Sequence, residues 1–579
     1  MAIVPMKYVI VLGRSAHADG LIRELQRLGV IHPEKMGEEK PNKELEEASH
    51  NVREHAHLIE ELKTYKPKPG IVKTSFEEGS KALLQKRSLH DKIEILTRER
   101  DRQAIWGDFD PSAIDYLNQK GIVVQLWQSR EEGLSETDFE NIKFLQEIVH
   151  KGSHYYITIS GGKLEAKSAD EIPIPEKNFF QVNEGLIQVY HELKMVEGKL
   201  RSMAIHLPTL KSEYENEVSE YEFLKAYHQS YSDGNLTAVG GWVPANKLQY
   251  LTDELKKFED VVALKSRDPN ADETPPVLTE NSRFTKTFEP LLKLLGVPDY
   301  NSVDPATFFA PFMMLFFGIC LGDAGYGAMM IVTAFIMRRY LAKKIPAIVP
   351  VTNLTMLFGV ATIAWGLITG SIFGISFPQH ERGWILFDVS SEFGNPIRLF
   401  YLSVALGVIH LSISFIISLL SAHKGEDRFA SFGRIFVLWG GVLGVLKIEY
   451  WWALVSFGVA VILFMSSSSH NPFKRVGLGL WNIYGLTSLI GDVMSYARLF
   501  GLGIATGAIA SVVNQLAMQA GEVPYAGILF TIIILIIGHG FNFAMGIVGA
   551  LVHPGRLHAV EAIPKFAELT GVPYKPLIK

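Results

Sequence analysis

Two stretches decide how this chain is read: GDVMSYARLFGLGIATGAIA, residues 491–510, and GALVHPGRLHAVE, residues 549–561. Each lies in long apolar sequence, and each carries one arginine, Arg498 and Arg556. An arginine in hydrocarbon costs about 3 kcal/mol on insertion scales. It keeps its charge, because its pKa lies above about 12. Such residues mark an ion path or a counter-ion site. The surrounding runs read as two long helices, 478–519 and 527–562. At about 1.5 Å per residue, each exceeds a hydrocarbon core of roughly 30 Å. Each must therefore tilt or protrude.

The two helices form a hairpin turning near GEVPYAG, 521–527. Residue 527 is the midpoint of the two arginines, so a turn centred there places both at one depth. Two cations at one level repel unless an anion lies beside them. Apart from Asp492, near one end, neither helix offers a mid-membrane carboxylate. Small residues cluster here: Gly501, Gly503, Ala505, Gly507 and Ala508, then Gly546, Gly549 and Ala550. They let another helix approach closely. Asn542, Gly549, His553 and Arg556 fall on one face, and Pro554 is expected to kink or widen the helix just before Arg556.

Further outward, charge divides the chain. Residues 1–300 hold 39 Lys and Arg against 49 Asp and Glu, and the remaining residues hold 17 against 12. The expected domains are a soluble 1–299 and a membrane-embedded 300–579, joined through Pro-, Asp- and Asn-rich sequence. Residues 306–341 carry the Gly-rich GDAGYG (322–327) at their centre. The basic RRYLAKK (338–344) belongs on the cytoplasmic side, which favours two short crossings, 306–321 and 324–341. Further crossings are expected at 348–374, 398–421, 430–447 and 450–466, making eight with the long pair. Loops 375–397 and Lys447–Glu449 face outward, and HKGEDR (423–428) and HNPFKR (470–475) face the cytoplasm. Arg434 reads as an interfacial anchor more than an outer-path cation.

The soluble half opens with KYVIVLGRSAHADGLIRELQRLGVIHPEKM, which reads strand, helix, strand, with Leu21, Ile22, Leu25 and Leu28 on one helix face. Stretches 43–66 and 76–103 carry narrow apolar stripes, as in coiled coils. In the second the stripe is Leu83, Leu84, Leu89, Ile93 and Ile95. A further long helical stretch, 176–229, carries Leu186, Tyr190, Leu193, Val196 and Leu200. Strands are expected at 121–128 and 154–160, and LTAVGGWVPANKLQYLTDELKKFED reads strand, turn, helix. The fold class expected is α/β cytoplasmic lobes joined by antiparallel coiled-coil helices, then an all-α polytopic membrane domain of about eight helices with a long tilted final hairpin. The single Cys320 forms no intrachain disulfide. Met1–Arg14 reads as a strand and not as a signal peptide. No Gly-x4-Gly-Lys-Ser/Thr loop occurs, so no nucleotide site is expected.

Four motifs resemble the membrane stator subunit of V/A-type rotary ATPases, called subunit a, or I in prokaryotes. GDVMSYARLFGLGIA is similar to that family's S-Y-x-R-L motif, and GALVHPGRLHAVE to its V-H-S/T-L-R-L-x-x-V-E motif, from which Pro554–Gly555 departs. FGICLGDAGYG (317–327) resembles its first-hairpin motif, and AVGGWVPANK (238–247) its W-x-P segment. The resemblance implies a non-catalytic subunit of an ATPase or ATP synthase with no cofactor or metal. It implies partners in a rotor ring of proteolipid subunits, peripheral stalks, a central-stalk or ring-cap subunit and the lipid membrane, and no nucleic acid. Arg498 and Arg556 are then expected to meet a rotor carboxylate as the ring turns, between two offset half-channels for H+ or Na+. A fixed cation favours the charged carboxylate and so releases its ion.

Candidate half-channel residues are Asp323 and Glu449 on the outer side, Asp492 six residues before Arg498, and His539, Asn542 and His553 along a polar path near the arginines. A cell-membrane location with both termini cytoplasmic follows from the charge bias. The competing reading is a secondary cation transporter with a cytoplasmic coiled-coil regulatory domain. A self-contained carrier normally supplies its own buried acid, and 306–421 and 430–562 form no convincing repeat.

Overall fold

The computed structural model describes residues 3–36, 42–68, 74–107, 109–129, 142–150, 153–165, 169–258, 261–270, 272–342, 345, 348–376, 396–421, 425–465 and 472–578. The chain divides into two compact units, one of Met1–Met36 with Ser230–Leu577 and one of Gly37–Gln229 with Ile578–Lys579. This is a division by packing. It differs in kind from the expected boundary near residue 300, which is a change of hydropathy.

The first unit opens with β1 (Met6–Arg14), α1 (Ala18–Leu28) and β2 (His32–Glu34). Leu21, Ile22, Leu25 and Leu28 are all buried, as their spacing predicts. Gly29, at φ 62°, closes the helix in the left-handed region.

The chain then forms the second unit: α2 (Lys43–Thr64), α3 (Phe76–Gln103), α4 (Pro111–Gln119), β3 (Val123–Ser129), β4 (Ile142–His150), β5 (Ser153–Ser160), β6 (Asp170–Ile172), α5 (Phe179–Met203) and α6 (Leu207–Gln229). Here α2 runs antiparallel to α6, with His55 bonded to Glu217 and Asn42 to His228. Likewise α3 runs beside α5, where Gln103 Nε2 donates to the Lys177 carbonyl at 2.7 Å. The single helix expected over 176–229 is two helices, parted by a tight turn at Ala204–His206. Pro208 supplies no backbone N–H, which suits it to the first turn of a new helix. Leu58, Leu62, Leu200, Met203 and Leu210 form the core at this break. Leu84, Ile95 and Tyr190 lie outside the apolar stripe and are exposed. The sheet is antiparallel in the order β4-β5-β3-β6.

Back in the first unit come β7 (Tyr231–Ser232), β8 (Leu236–Pro244), α7 (Leu248–Leu255) and β9 (Val261–Arg267). The antiparallel sheet runs β2-β8-β1-β9, with β7 also on β8. A Cβ on Gly241 would stand 2.4 Å from the His32 carbonyl, so the glycine before Trp242 lets β2 close on β8. Trp242 is buried edge-on against Tyr8, and the Arg267 guanidinium covers the Tyr8 ring at 4.4 Å. Arg267 also forks onto Glu273 at 2.5 and 2.7 Å. That cation, with the Asn270 N–H, holds the Glu273 carboxyl down to about 2 from an ordinary 4.5. A depressed carboxyl contributes stability above the unfolded value that is lost as pH falls through the folded one. Order around Trp242 is therefore expected to decline between about pH 4.5 and 2, followed by tryptophan fluorescence. Glu273→Gln is expected to flatten that decline.

The apolar half follows: α8 (Arg283–Lys286), α9 (Glu289–Leu295), α10 (Ala306–Leu321), α11 (Ala324–Leu341), α12 (Ile348–Thr369), β10 (Ser371–Ile372), β11 (Ile375–Ser376), α13 (Pro396–Ser421), α14 (Gly425–Val445), α15 (Trp451–Met465), α16 (Pro472–Tyr484), α17 (Thr487–Ser495), α18 (Ala497–Gly521) and α19 (Gly527–Arg556). Among the described residues, five stretches are long and apolar enough to cross a membrane: Ile348–Thr369, Ile397–Ser421, Arg428–Val445, Phe473–Gly521 and Gly527–Lys565. The pair α10 and α11 is bent by 119° at Gly322–Asp323, where the Gly-rich break was expected, and α15 is a shorter apolar helix. The expected continuous helix over 478–519 is three segments, tightened around Gly485–Leu486 and at Tyr496. Most of the expected outer loop 375–397, and parts of the basic loops 423–428 and 470–475, lie outside the described residues.

The tail after α19 returns to the first lobe. Thr570 bridges Val297, Pro573 bridges Val277, and the Leu577 N–H donates to the Ile31 carbonyl at 2.8 Å.

Candidate ion-path site

The turn between α18 and α19 falls at 522–526, so its centre is Pro524 and not residue 527. Thr531 Oγ1 donates to the Ala517 carbonyl at 3.0 Å, and Asn542 Nδ2 to the Thr506 carbonyl at 2.9 Å. This register sets Arg498 opposite Ala550. Arg556 lies six residues, roughly 9 Å, beyond that level. The two arginines are thus staggered along the hairpin and do not share one depth.

Within this chain, Arg498 already faces one carboxylate. Glu561 is 3% exposed at its side chain, and its Oε1 lies 3.9 Å from Arg498 Nη1. Sequence reasoning passes over it because it stands one residue before the expected helix end at 562, where a carboxylate reads as leaving the hydrocarbon. In the structure α19 continues through Pro554, and the backbone widens just after Arg556 into a π-turn, Leu557–Ala562. Proline offers no N–H to the carbonyl one turn back, and π-turns recur at functional sites. The widened turn brings His558 and Glu561 inward, both buried. Asp492, counted as a free half-channel acid, is paired with Lys565 Nζ at 2.7 Å. Arg556 is exposed, with no hydrogen bond or ion pair among the described residues. His553 is half-buried and equally unbonded there.

The other candidates gather elsewhere. Asn542 Nδ2 donates to Tyr326 Oη at 2.9 Å, and Tyr326 Oη lies 2.8 Å from His539 Nδ1. His539 Nε2 lies 3.1 Å from Asn514 Oδ1, and Asn514 Nδ2 donates to the Phe373 carbonyl at 2.7 Å. One tautomer satisfies the whole chain: Tyr326 donates to His539 Nδ1, and His539 Nε2–H donates to Asn514. Thr506 is eight residues from Arg498, so this network sits about 12 Å along the helix from it. His539 and Asn542 therefore belong with Tyr326 and Asn514, and not with the arginines. Neither Tyr326 nor Asn514 was singled out from sequence; only the meeting of α11, α18 and α19 at His539 joins them.

Asp323 is 1% exposed and caps α11. Oδ1 accepts from the N–H groups of Gly325, Tyr326 and Phe373 at 2.8, 3.2 and 2.8 Å. Oδ2 accepts from Gly374 N–H at 2.8 Å and Ser371 Oγ at 2.7 Å. Glu449 is an exposed charge in the α14–α15 turn.

The small residues divide by role. Gly503 and Gly546 face neighbouring parts of the chain, where an added Cβ would stand 2.8 Å from the Ile319 carbonyl and 2.7 Å from Leu321. A Cβ on Gly501 meets nothing within 4 Å. Gly501, Ala505 and Ala508 are exposed on α18 beyond Arg498, and Met545, Val548 and Val552 are exposed on α19 leading to Arg556. Arg498 thus ends an open row of small residues on α18, and Arg556 ends an exposed apolar row on α19.

A family profile described as the V-type ATPase 116kDa subunit family matches residues 181–392. The A-type ATP synthase subunit I of Methanocaldococcus jannaschii is 30% identical over 443 residues, covering 68% of this chain and 63% of that protein. That of Methanothermobacter thermautotrophicus is 27% identical, over 66% of this chain and 57% of its own length. The match thus spans less than two thirds of either archaeal relative. The V-type ATP synthase subunit I of Borreliella burgdorferi is 22% identical over 100% of this chain and 99% of its own length.

Proposed function

This chain belongs to the V-type ATPase 116kDa subunit family, and we propose that it is the membrane stator of a rotary V/A-type ATPase, itself without catalysis. The observation that carries the reading is the staggered arginine pair, with Arg498 at the end of an open row of small residues. A passing helix of a small, apolar rotor subunit fits a lane floored by Gly501, Ala505 and Ala508, since small residues permit close approach. A carboxylate on that helix meets Arg498 and then Arg556, or the reverse. Each cation favours its ionised form and expels its proton or Na+. The stagger spreads the encounter along the membrane normal. Two offset half-channels load and unload the rotor site. The Asn542–Tyr326–His539–Asn514 network lines the outer one, and His553 and Glu561 border the other.

Eight crossings put both chain ends and the basic loops in the cytoplasm. The soluble helices and sheets there dock the peripheral stalks and the central-stalk cap. The test is co-purification of the tagged chain with a small, very apolar ring subunit and soluble ATPase subunits. Gly501→Trp is expected to lower ring recovery at least tenfold while stalk subunits are retained. Undiminished recovery with the tryptophan in place counts against the lane.

Glu561 also gives the chain a buried acid of its own, which a secondary carrier needs. The purified chain alone, in liposomes, separates the readings. Gradient-driven cation uptake without any ring subunit supports a carrier, and none is expected.

A further inference from the structure

Among the described residues, seven buried side-chain polar atoms lack a hydrogen-bond partner. Four of them belong to one neighbourhood: His410 Nε2, His558 Nε2, Glu561 Oε2 and Arg498 Nη1. The Arg498–Glu561 pair bears on the ion path. The histidines have no place in it, yet both are 0% exposed. Their ring centroids lie 4.8 Å apart at 70°. Phe308 stacks on His410 at 4.5 Å, Phe309 meets His558 at 4.7 Å, and Phe312 and Phe316 complete an apolar wall. Unpaired polar atoms in such a place are costly to leave unsatisfied.

The hydrogens are fixed by what each ring touches. His558 Nδ1 lies 2.8 Å from the Pro554 carbonyl, which only accepts, so Nδ1 carries the hydrogen and Nε2 of the neutral ring is a bare lone pair. His410 Nδ1 lies 2.7 Å from Tyr496 Oη, the one hydrogen-bond partner of that buried hydroxyl among the described residues. The tyrosine hydrogen therefore points to Nδ1, and His410 Nε2 carries the other. A donor and an acceptor remain, on adjacent rings, with no bond between them.

We propose that a single water molecule binds between the two imidazoles, accepting from His410 Nε2–H and donating to His558 Nε2. Two polar partners are the minimum that holds a buried water. The result is one directed chain: Tyr496 to His410, to water, to His558, to the Pro554 carbonyl. Tyr496 is two residues before Arg498, and Pro554 is two before Arg556. The water site thus clamps the backbone of one arginine to that of the other. His410 and His558 are positioning residues, and this role rests on the proposed function, whereas the water site does not.

Solid-state 15N NMR of the full chain in lipid bilayers, with 15N-histidine, tests the site without reference to transport. His410 is expected as the Nε2–H tautomer and His558 as the Nδ1–H tautomer, both receiving magnetisation from water. His410→Gln and His558→Gln assign the signals by difference. Two rings of one tautomer, a direct N–H···N coupling, or rings dry to water transfer overturn the proposal. The clamp is tested in the assembled complex. His410→Phe is expected to lower coupled flux about tenfold or more, and His410→Gln, which keeps a donor, to restore much of it. Equal losses in the two variants refute the clamp and leave the NMR result standing.

Discussion

An Arg498→Ala chain is expected to assemble with its partners and to carry no ATP-coupled ion flux. Two effects act at once. Without the guanidinium, nothing at this position favours ionisation of the rotor carboxylate, and the step that expels its ion is lost. The substitution also leaves Glu561, 3% exposed, without the cation 3.9 Å away. An unpaired buried charge costs on the order of 1–3 kcal/mol or more. Arg498 is itself 31% exposed, so solvent softens that cost. A fall in yield could thus masquerade as loss of mechanism. Pairing the change with Glu561→Gln removes the stranded charge, so the double variant is expected to assemble at the level of the unaltered chain and still transport nothing. Flux is measured as ATP-driven ion uptake into proteoliposomes, normalised to assembled complex. Retained flux in the double variant defeats the arginine mechanism.

The same pair of residues marks where sequence reading succeeds and where it stops. Arg498 and Arg556 stand out because a permanent charge in an apolar run has a cost that composition alone exposes. Glu561 has the same cost, yet it stands one residue before the expected helix end at 562, where a charge draws no notice. Its burial depends on the π-turn at Leu557–Ala562, a backbone event that no apolar spacing encodes. His410 is one polar residue in a run of apolar ones, and only packing reveals Tyr496 and His558 beside it. In the soluble half, β4 escapes notice because Phe144, Leu145, Ile148 and Val149 have helical spacing. Pairing along β5 overrides it. Conversely, α10 and α11 begin and end where charge and the Gly-rich break place them, because glycine in the left-handed region and a capping acid are both local signals.

Asp323 is the case where the same local signal supports a different role from the one expected, and replacing it is expected to have the second largest effect. Its carboxylate accepts five hydrogen bonds, from two elements. Two cap α11. The other three hold the hairpin β10–β11, whose two-residue turn is Phe373–Gly374, at φ 51° and 71°. Both residues lie in the left-handed region, which glycine enters freely and phenylalanine enters at a cost of about 1–2 kcal/mol. Asp323 offsets that cost by accepting from both turn N–H groups. The turn in turn presents the Phe373 carbonyl to Asn514, which receives His539. Removing the carboxylate strands buried donors and frees the turn together. Asp323→Ala is expected to cost at least about 3 kcal/mol and to expose the segment after α12 to protease in the purified chain. Asp323→Asn keeps the helix cap, since asparagine caps as well as aspartate, but turns an N–H2 toward donors of the hairpin. It is expected to show an intermediate protease sensitivity and, per assembled complex, most of the ion flux. Full stability with abolished flux in the asparagine variant would instead make Asp323 an ion-path group.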